Sequence, residues 1–153
     1  MKKKNKMYEF LPHTADVKFK AYGKDLEGAF SNAAYALTDV MISHDKVRGK
    51  EKRIIIVESE NLEALLYDFL EQFLILVDSY GFLLRRIDEI KIKKLGKGGK
   101  IKKGNKFALS AEALGDEKIE NYKIDTHIKA VTYEEMTIKI EKKGFALQVV
   151  LDI

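Results

Sequence analysis

The chain of 153 residues has no cysteine, no tryptophan and one proline. Without cysteine there is no disulfide framework, no thiol nucleophile and no thiolate zinc site. Histidine is scarce too: His13, His44 and His127 are scattered and follow neither HExxH nor zinc-finger spacing. Long apolar runs are missing. The longest, FLILV at 73–77, falls far short of the roughly 20 residues that span a bilayer. The basic opening MKKKNK is not followed by the apolar stretch of a signal peptide. The expectation is a cytoplasmic protein with no membrane contact.

What is present suits one globular domain, 1–153. The hydrophobic share is 46% and the charged share 34%, enough to bury a core without staples. The net charge of +4 conceals an asymmetry. Residues 1–6 carry four lysines and 91–106 carry eight, with no acid in either, so the rest of the chain stands at −8. The basic N-terminus 1–6 and the Gly/Lys-rich stretch 96–106 read as mobile, solvated segments on an acidic body.

Periodicity supplies the elements. YEFL and VKFKAY alternate apolar and polar residues as half-buried strands do. From Asp25, a suitable N-cap, Leu26, Ala29, Phe30, Ala33, Leu37 and Met41 recur at helical spacing. RIIIVE at 53–58 is a β-branched strand. A second helix starts near Asn61, is apolar almost all round and stops at Gly81. Alternation returns in LLRRIDEIKIKKL, KFALSAEAL, DTHIKAV, EMTIKI and FALQVVLDI, with EKKG at 141–144 as a hairpin turn between the last two. Two helices packed with mostly antiparallel or mixed sheets make an α+β single-domain sandwich.

Catalytic arrangements are hard to build. The Gly/Lys stretch has no Gly-Lys-Ser/Thr and no spaced-glycine fingerprint. It reads as a hairpin loop or as a nonspecific phosphate contact, and no aromatic residue among its lysines would stack a base. Glu134 and Glu135 are adjacent, so a regular strand would point them to opposite faces. Asp68 and Glu71 fit the wet edge of a helix. The serines occupy no nucleophile elbow. No catalytic residue is assigned.

The C-terminal segment is different. FALQVVLDI places Asp152 and the Ile153 carboxylate side by side at the tip of an apolar strand. Two such anions repel and are costly to desolvate unless compensated. A lysine or arginine would do. So would a hard divalent cation, Ca2+ or Mg2+ with Mn2+ as a further choice, because the donors are carboxylate oxygens. Asp16 in HTAD would be the third ligand if the two ends of the domain meet.

The segments EFLPHTADVKFKAYGKDLEGAFSNAAYALTDVM, LLYDFLEQFLILVD, HIKAVTYEEMTI and VVLDI together resemble the archease family over nearly the whole chain. The resemblance implies a protein cofactor rather than an enzyme. It would activate an RtcB-class ligase that joins tRNA halves in tRNA splicing, promoting the ligase's GTP- and Mn2+-dependent histidine guanylylation and its repeated turnover. It also implies a calcium-type site on Asp16, Asp152 and the Ile153 carboxylate, which would account for the chain stopping at Ile153. His13, Lys129 and Tyr133 lie in the motif segments as partner-interface candidates. Their plainer readings are a turn histidine satisfied by backbone, a lysine paired with an acid and a core tyrosine. The family commonly carries histidines where this chain has Asn121-Tyr122 and Glu134. Two other functions compete: an RNA-binding accessory or chaperone of nucleic-acid enzymes that uses the Lys-rich loop, and a metal-dependent hydrolase, for which no general base is well placed.

Overall fold

The computed structural model describes residues 7–96 and 105–153. The expectations for 1–6 and for most of the Gly/Lys-rich stretch lie outside them. The order of elements is β1 (Tyr8–Leu11), β2 (Val17–Gly23), α1 (Leu26–Met41), β3 (Glu51–Ser59), α2 (Leu62–Tyr80), β4 (Leu83–Lys94), β5 (Phe107–Asp116), β6 (Ala130–Glu141) and β7 (Gly144–Asp152), with short 3-10 turns at His44–Lys46 and Ile119–Asn121.

Two antiparallel sheets result. One has the order β1-β2-β7-β6, the other β3-β5-β4. Each helix packs on strands of both sheets, so the helices fill the space between them. This is the α+β sandwich that the periodicity indicates. Phe30 of α1 and Phe69 of α2 meet at the centre with ring centroids 6.0 Å apart. Around them Phe19, Leu37, Leu65, Leu66, Leu70, Leu83, Leu109, Leu147 and Leu151 form one fully buried core.

The helix boundaries follow local chemistry. The Asp25 side chain accepts from the Gly28 N–H at 2.7 Å, and the Asn61 side chain accepts from Ala64 at 2.8 Å, so each caps the first turn of its helix. Gly81 ends α2 in the left-handed region (φ 61), where a side chain would be strained.

One strand differs from its sequence reading. DTHIKAV alternates like a strand, yet the ladder begins only at Ala130. Upstream, the Asp125 N–H donates to the Met41 carbonyl at 2.8 Å and the Lys129 N–H to the Asp152 carbonyl at 2.7 Å. Side-chain alternation there reflects an extended segment laid along the end of α1, not sheet pairing.

Among the described residues, no helix is long and apolar enough to cross a membrane.

Candidate metal and partner site

β7 is an inner strand of its sheet, flanked by β2 and β6. Its inward residues Leu147, Val149 and Leu151 belong to the core, which fixes the register by burial. On one side Val17 pairs with Leu151. Asp16 and Asp152 are the next residues beyond that rung, one from each strand, and Ile153 follows. On the other side Asp152 pairs with Ala130, and its carbonyl accepts from Lys129 N–H. Asp16 and Asp152 are both half-buried. The two ends of the domain thus meet, as the third-ligand expectation requires.

Ala15, immediately before Asp16, has φ 67 although it is not glycine. A left-handed alanine costs roughly 1–2 kcal/mol. Such strain persists only where the surroundings enforce it. It turns the chain from the HTAD loop into β2 at the point where Asp16 meets the end of β7.

His13 belongs to the same surface. Its Nε2 is 3.0 Å from Glu135 Oε2, and its Nδ1 faces Asp16 Oδ2 at 3.8 Å, too far for a hydrogen bond. Nδ1 is buried without a hydrogen-bond partner. The reading of His13 as a turn histidine satisfied by backbone is therefore replaced by a carboxylate-bound imidazole with one orphaned nitrogen. Lys18 Nζ lies 3.3 Å from Glu135 Oε1. Hydrogen bonds from these two side chains, His13 first and then Lys18, hold the Glu135 carboxyl below its usual range.

Glu135 arrives there through a bulge. β6 advances from Thr132 to Thr137 while β7 moves only from Val150 to Gln148, and Glu135 itself has φ 50. The Glu135 carbonyl accepts from Gln148 Nε2 at 2.8 Å, and Thr132 Oγ1 donates to the Val150 carbonyl at 2.8 Å. The arch covers Val150, which is buried although it points away from the core cluster. It also overturns the expectation that Glu134 and Glu135 face opposite ways. One ligand atom each from His13, Glu134 and Glu135 lie within 4.8 Å of one another. The slip was visible in the sequence: apolar residues fall on odd numbers at Val131 and Tyr133 and on even numbers at Met136, Ile138 and Ile140.

Tyr133 is not a core residue. It is 54% exposed and stacks on Tyr67 of α2, with centroids 4.4 Å apart and planes 8° apart. Lys129 has an exposed side chain and contributes its backbone N–H to the end of β7. Tyr122 is structural. Its hydroxyl donates to Asp116 Oδ2 at 2.6 Å and accepts from Arg48 N–H at 3.0 Å.

The donor set of Asp16, Asp152 and the Ile153 carboxylate is all oxygen and fits a hard divalent cation. The orphaned His13 nitrogen beside Asp16 marks unsatisfied polar capacity at the same place.

The model of the archease protein family (MTH1598/TM1083) matches residues 8–153. The chain is 38% identical over 156 residues to the protein archease of Methanosarcina barkeri, covering 100% of both chains. It is 41% identical over 151 residues to that of Pyrococcus abyssi, covering 97% of this chain and 99% of the relative. The solution structure of Methanobacterium thermoautotrophicum protein 1598 superposes with a TM-score of 0.77 at 33% identity, over 96% of this chain and 99% of the other. A crystal structure from Thermotoga maritima, described as an archease and possible chaperone, shares the fold with a TM-score of 0.54 at 16% identity, over 98% of this chain and 100% of that one.

Proposed function

This chain belongs to the archease family, and from that premise we propose that it is a non-catalytic activator of an RtcB-class tRNA-splicing ligase. It promotes the ligase's GTP-dependent histidine guanylylation and its multiple turnover. Asp16, Asp152 and the Ile153 carboxylate hold a divalent cation, Ca2+ with Mg2+ or Mn2+ able to replace it. The observation that supports this reading is the β2–β7 register, whose last rung pairs Val17 with Leu151, one residue short of Asp16 and Asp152 on either strand.

The chain's own residues do three things in this scheme. β7, paired on both edges, fixes the ligand-bearing end as rigidly as any inner strand. Lys129 N–H holds the Asp152 carbonyl, which orients the residue. His13, tied to Glu135, presents its second nitrogen toward Asp16 and steadies that side of the site. A bound cation would supply positive charge and a template for phosphate oxygens at the ligase's own centre. The acidic body favours encounter with a basic RNA-ligase surface.

The test counts RNA joints formed per molecule of cognate ligase, with GTP and Mn2+ in excess. The expected result is a stall near one turnover alone and continued turnover with this protein. Asp16→Asn and Asp152→Asn should each remove most of the gain and most of the Ca2+ heat in calorimetry. An unchanged count sinks the activator reading. Steep, salt-dependent RNA affinity in its place would favour the RNA-binding accessory.

A further inference from the structure

On the flank of this surface, where α2 meets β6, Tyr67 and Tyr133 stack almost parallel. Both rings are ordered by their elements: Tyr67 sits on the second turn of a buried helix and Tyr133 in the arch pinned by Gln148. One face of Tyr133 rests on Tyr67. With 54% of the residue exposed, the other face is open. Carboxylates gather around the pair. Burial is the first cause that pushes the Tyr133 hydroxyl above its ordinary value, and the negative charges of Asp68, Glu60 and Glu71 add to it. Glu71 and Asp68 act on Tyr67 in the same direction, again after burial. Asp68 is held in place by the Ser59 hydroxyl at 2.6 Å.

We propose that the Tyr67–Tyr133 stack and the carboxylates of Glu60, Asp68 and Glu71 around it form a docking cradle for an arginine side chain of the partner protein. The proposal deepens the activator reading and rests on it for the partner's identity. A pre-stacked ring offers a flat, electron-rich face, and a guanidinium is flat, weakly hydrated and attracted to such faces. The surrounding carboxylates accept its N–H groups in a fork that an ammonium cannot match. They also repel phosphate, so an exposed base stacking here would bring its backbone against three acids. Because Tyr133 is two residues from Val131, the β6 partner of Leu151, a partner gripping the cradle is steered alongside the carboxylate end of β7.

The experiment uses the full chain with ring-labelled tyrosine, followed by NMR. It is titrated with acetyl-Gly-Arg-Gly-amide, with the Lys equivalent and with the dinucleotide UpU. The Tyr67 and Tyr133 ring signals should shift with the Arg peptide, several-fold less with the Lys peptide, and not with UpU. In parallel, Tyr133→Ala should weaken affinity for the cognate ligase about tenfold, roughly 1.4 kcal/mol. Tyr133→Phe, which keeps the ring, should stay within about twofold. Rings that shift with UpU instead, or with nothing, overturn the proposal. So does a Tyr133→Phe loss as large as that of Tyr133→Ala. If the ligase is activated while the rings stay silent, the cradle fails and the activator reading survives. If the Arg peptide shifts the rings while no ligase is activated, the cradle stands and the partner is another arginine-bearing protein.

Discussion

His13 and Glu135 stand 122 positions apart in the chain, yet their side chains meet at 3.0 Å across the outer face of a sheet. The contact exists because Glu135 adopts φ 50 inside the β6 arch. It joins the HTAD loop to the segment after KAVTY and so gathers both motifs on one surface.

Glycine adopts that φ without the cost that alanine bears. Both Glu135→Gly and Glu135→Ala lose the ties to His13 and Lys18, but only alanine keeps the strain. Glu135→Gly should therefore melt at a higher temperature than Glu135→Ala, the reverse of the order at a regular strand position. Thermal melts of the two variants decide it; alanine on top would mean the arch relaxes freely.

Divalent cation should stabilise the protein by an amount that grows with the logarithm of its concentration above the dissociation constant. At 100 times the dissociation constant the gain is about 2.7 kcal/mol. Asp152→Asn, or a single glycine appended after Ile153, should abolish the Ca2+-dependent rise in melting temperature. An N-terminal extension should leave it. A rise that persists in Asp152→Asn would place the cation elsewhere.

Asp116 is buried, and its carboxyl lies below the ordinary aspartate range, chiefly through the Tyr122 hydroxyl and also through the Lys118 N–H. A depressed carboxyl favours the fold while ionised. Its contribution is complete above roughly pH 4, the unfolded value, and disappears as pH falls through the lower folded value. Tyr122→Phe should cost about 1.5–3 kcal/mol at pH 7. The deficit should shrink as the pH approaches 3. Urea melts at pH 7, 4 and 3 test this, and a pH-independent deficit would refute it.

Gly144 turns the last hairpin at φ 141, and a Cβ there would meet the Gly23 carbonyl oxygen at 2.1 Å. Strain and overlap act together, so Gly144→Ala should cost about 2–4 kcal/mol. A cost below about 1 kcal/mol in denaturant melts would show that the β2–β7 end can open without penalty.

If charge steers the encounter with the ligase, the half-saturating concentration should climb several-fold between about 0.05 and 0.5 M salt. Titrations of turnover at both salts would show it, and equal values would exclude steering.

Much of this was legible in advance. Asp25, Asn61 and Gly81 announce the helix ends because capping is local chemistry, complete within four residues. The strands were legible where one face is buried. DTHIK misleads because alternation reports burial and not pairing. Charge and resemblance suggest that Asp16 and Asp152 share a site, while the register that pairs Val17 with Leu151 beside them depends on the whole core. The Tyr67–Tyr133 stack left no trace, since nothing in two tyrosines 66 positions apart says that α2 will lie against β6. The arch left one: the change of parity after Tyr133, which looks like noise because so few apolar residues lie on either side of it.

The placement of β7 between β2 and β6 also governs time. Residues 17–23 wait for partners at 145–151, so this sheet closes only after a loop of more than a hundred residues has been drawn shut. Such non-local closure is slow, because its entropy is lost before any contact rewards it. On the ribosome, β3-β5-β4 and both helices can assemble while β2 still lacks its neighbour. The end of β7 that bears Asp152 is then among the last parts of the domain to pair, so Asp16 and Asp152 come together only after the rest of the core has formed.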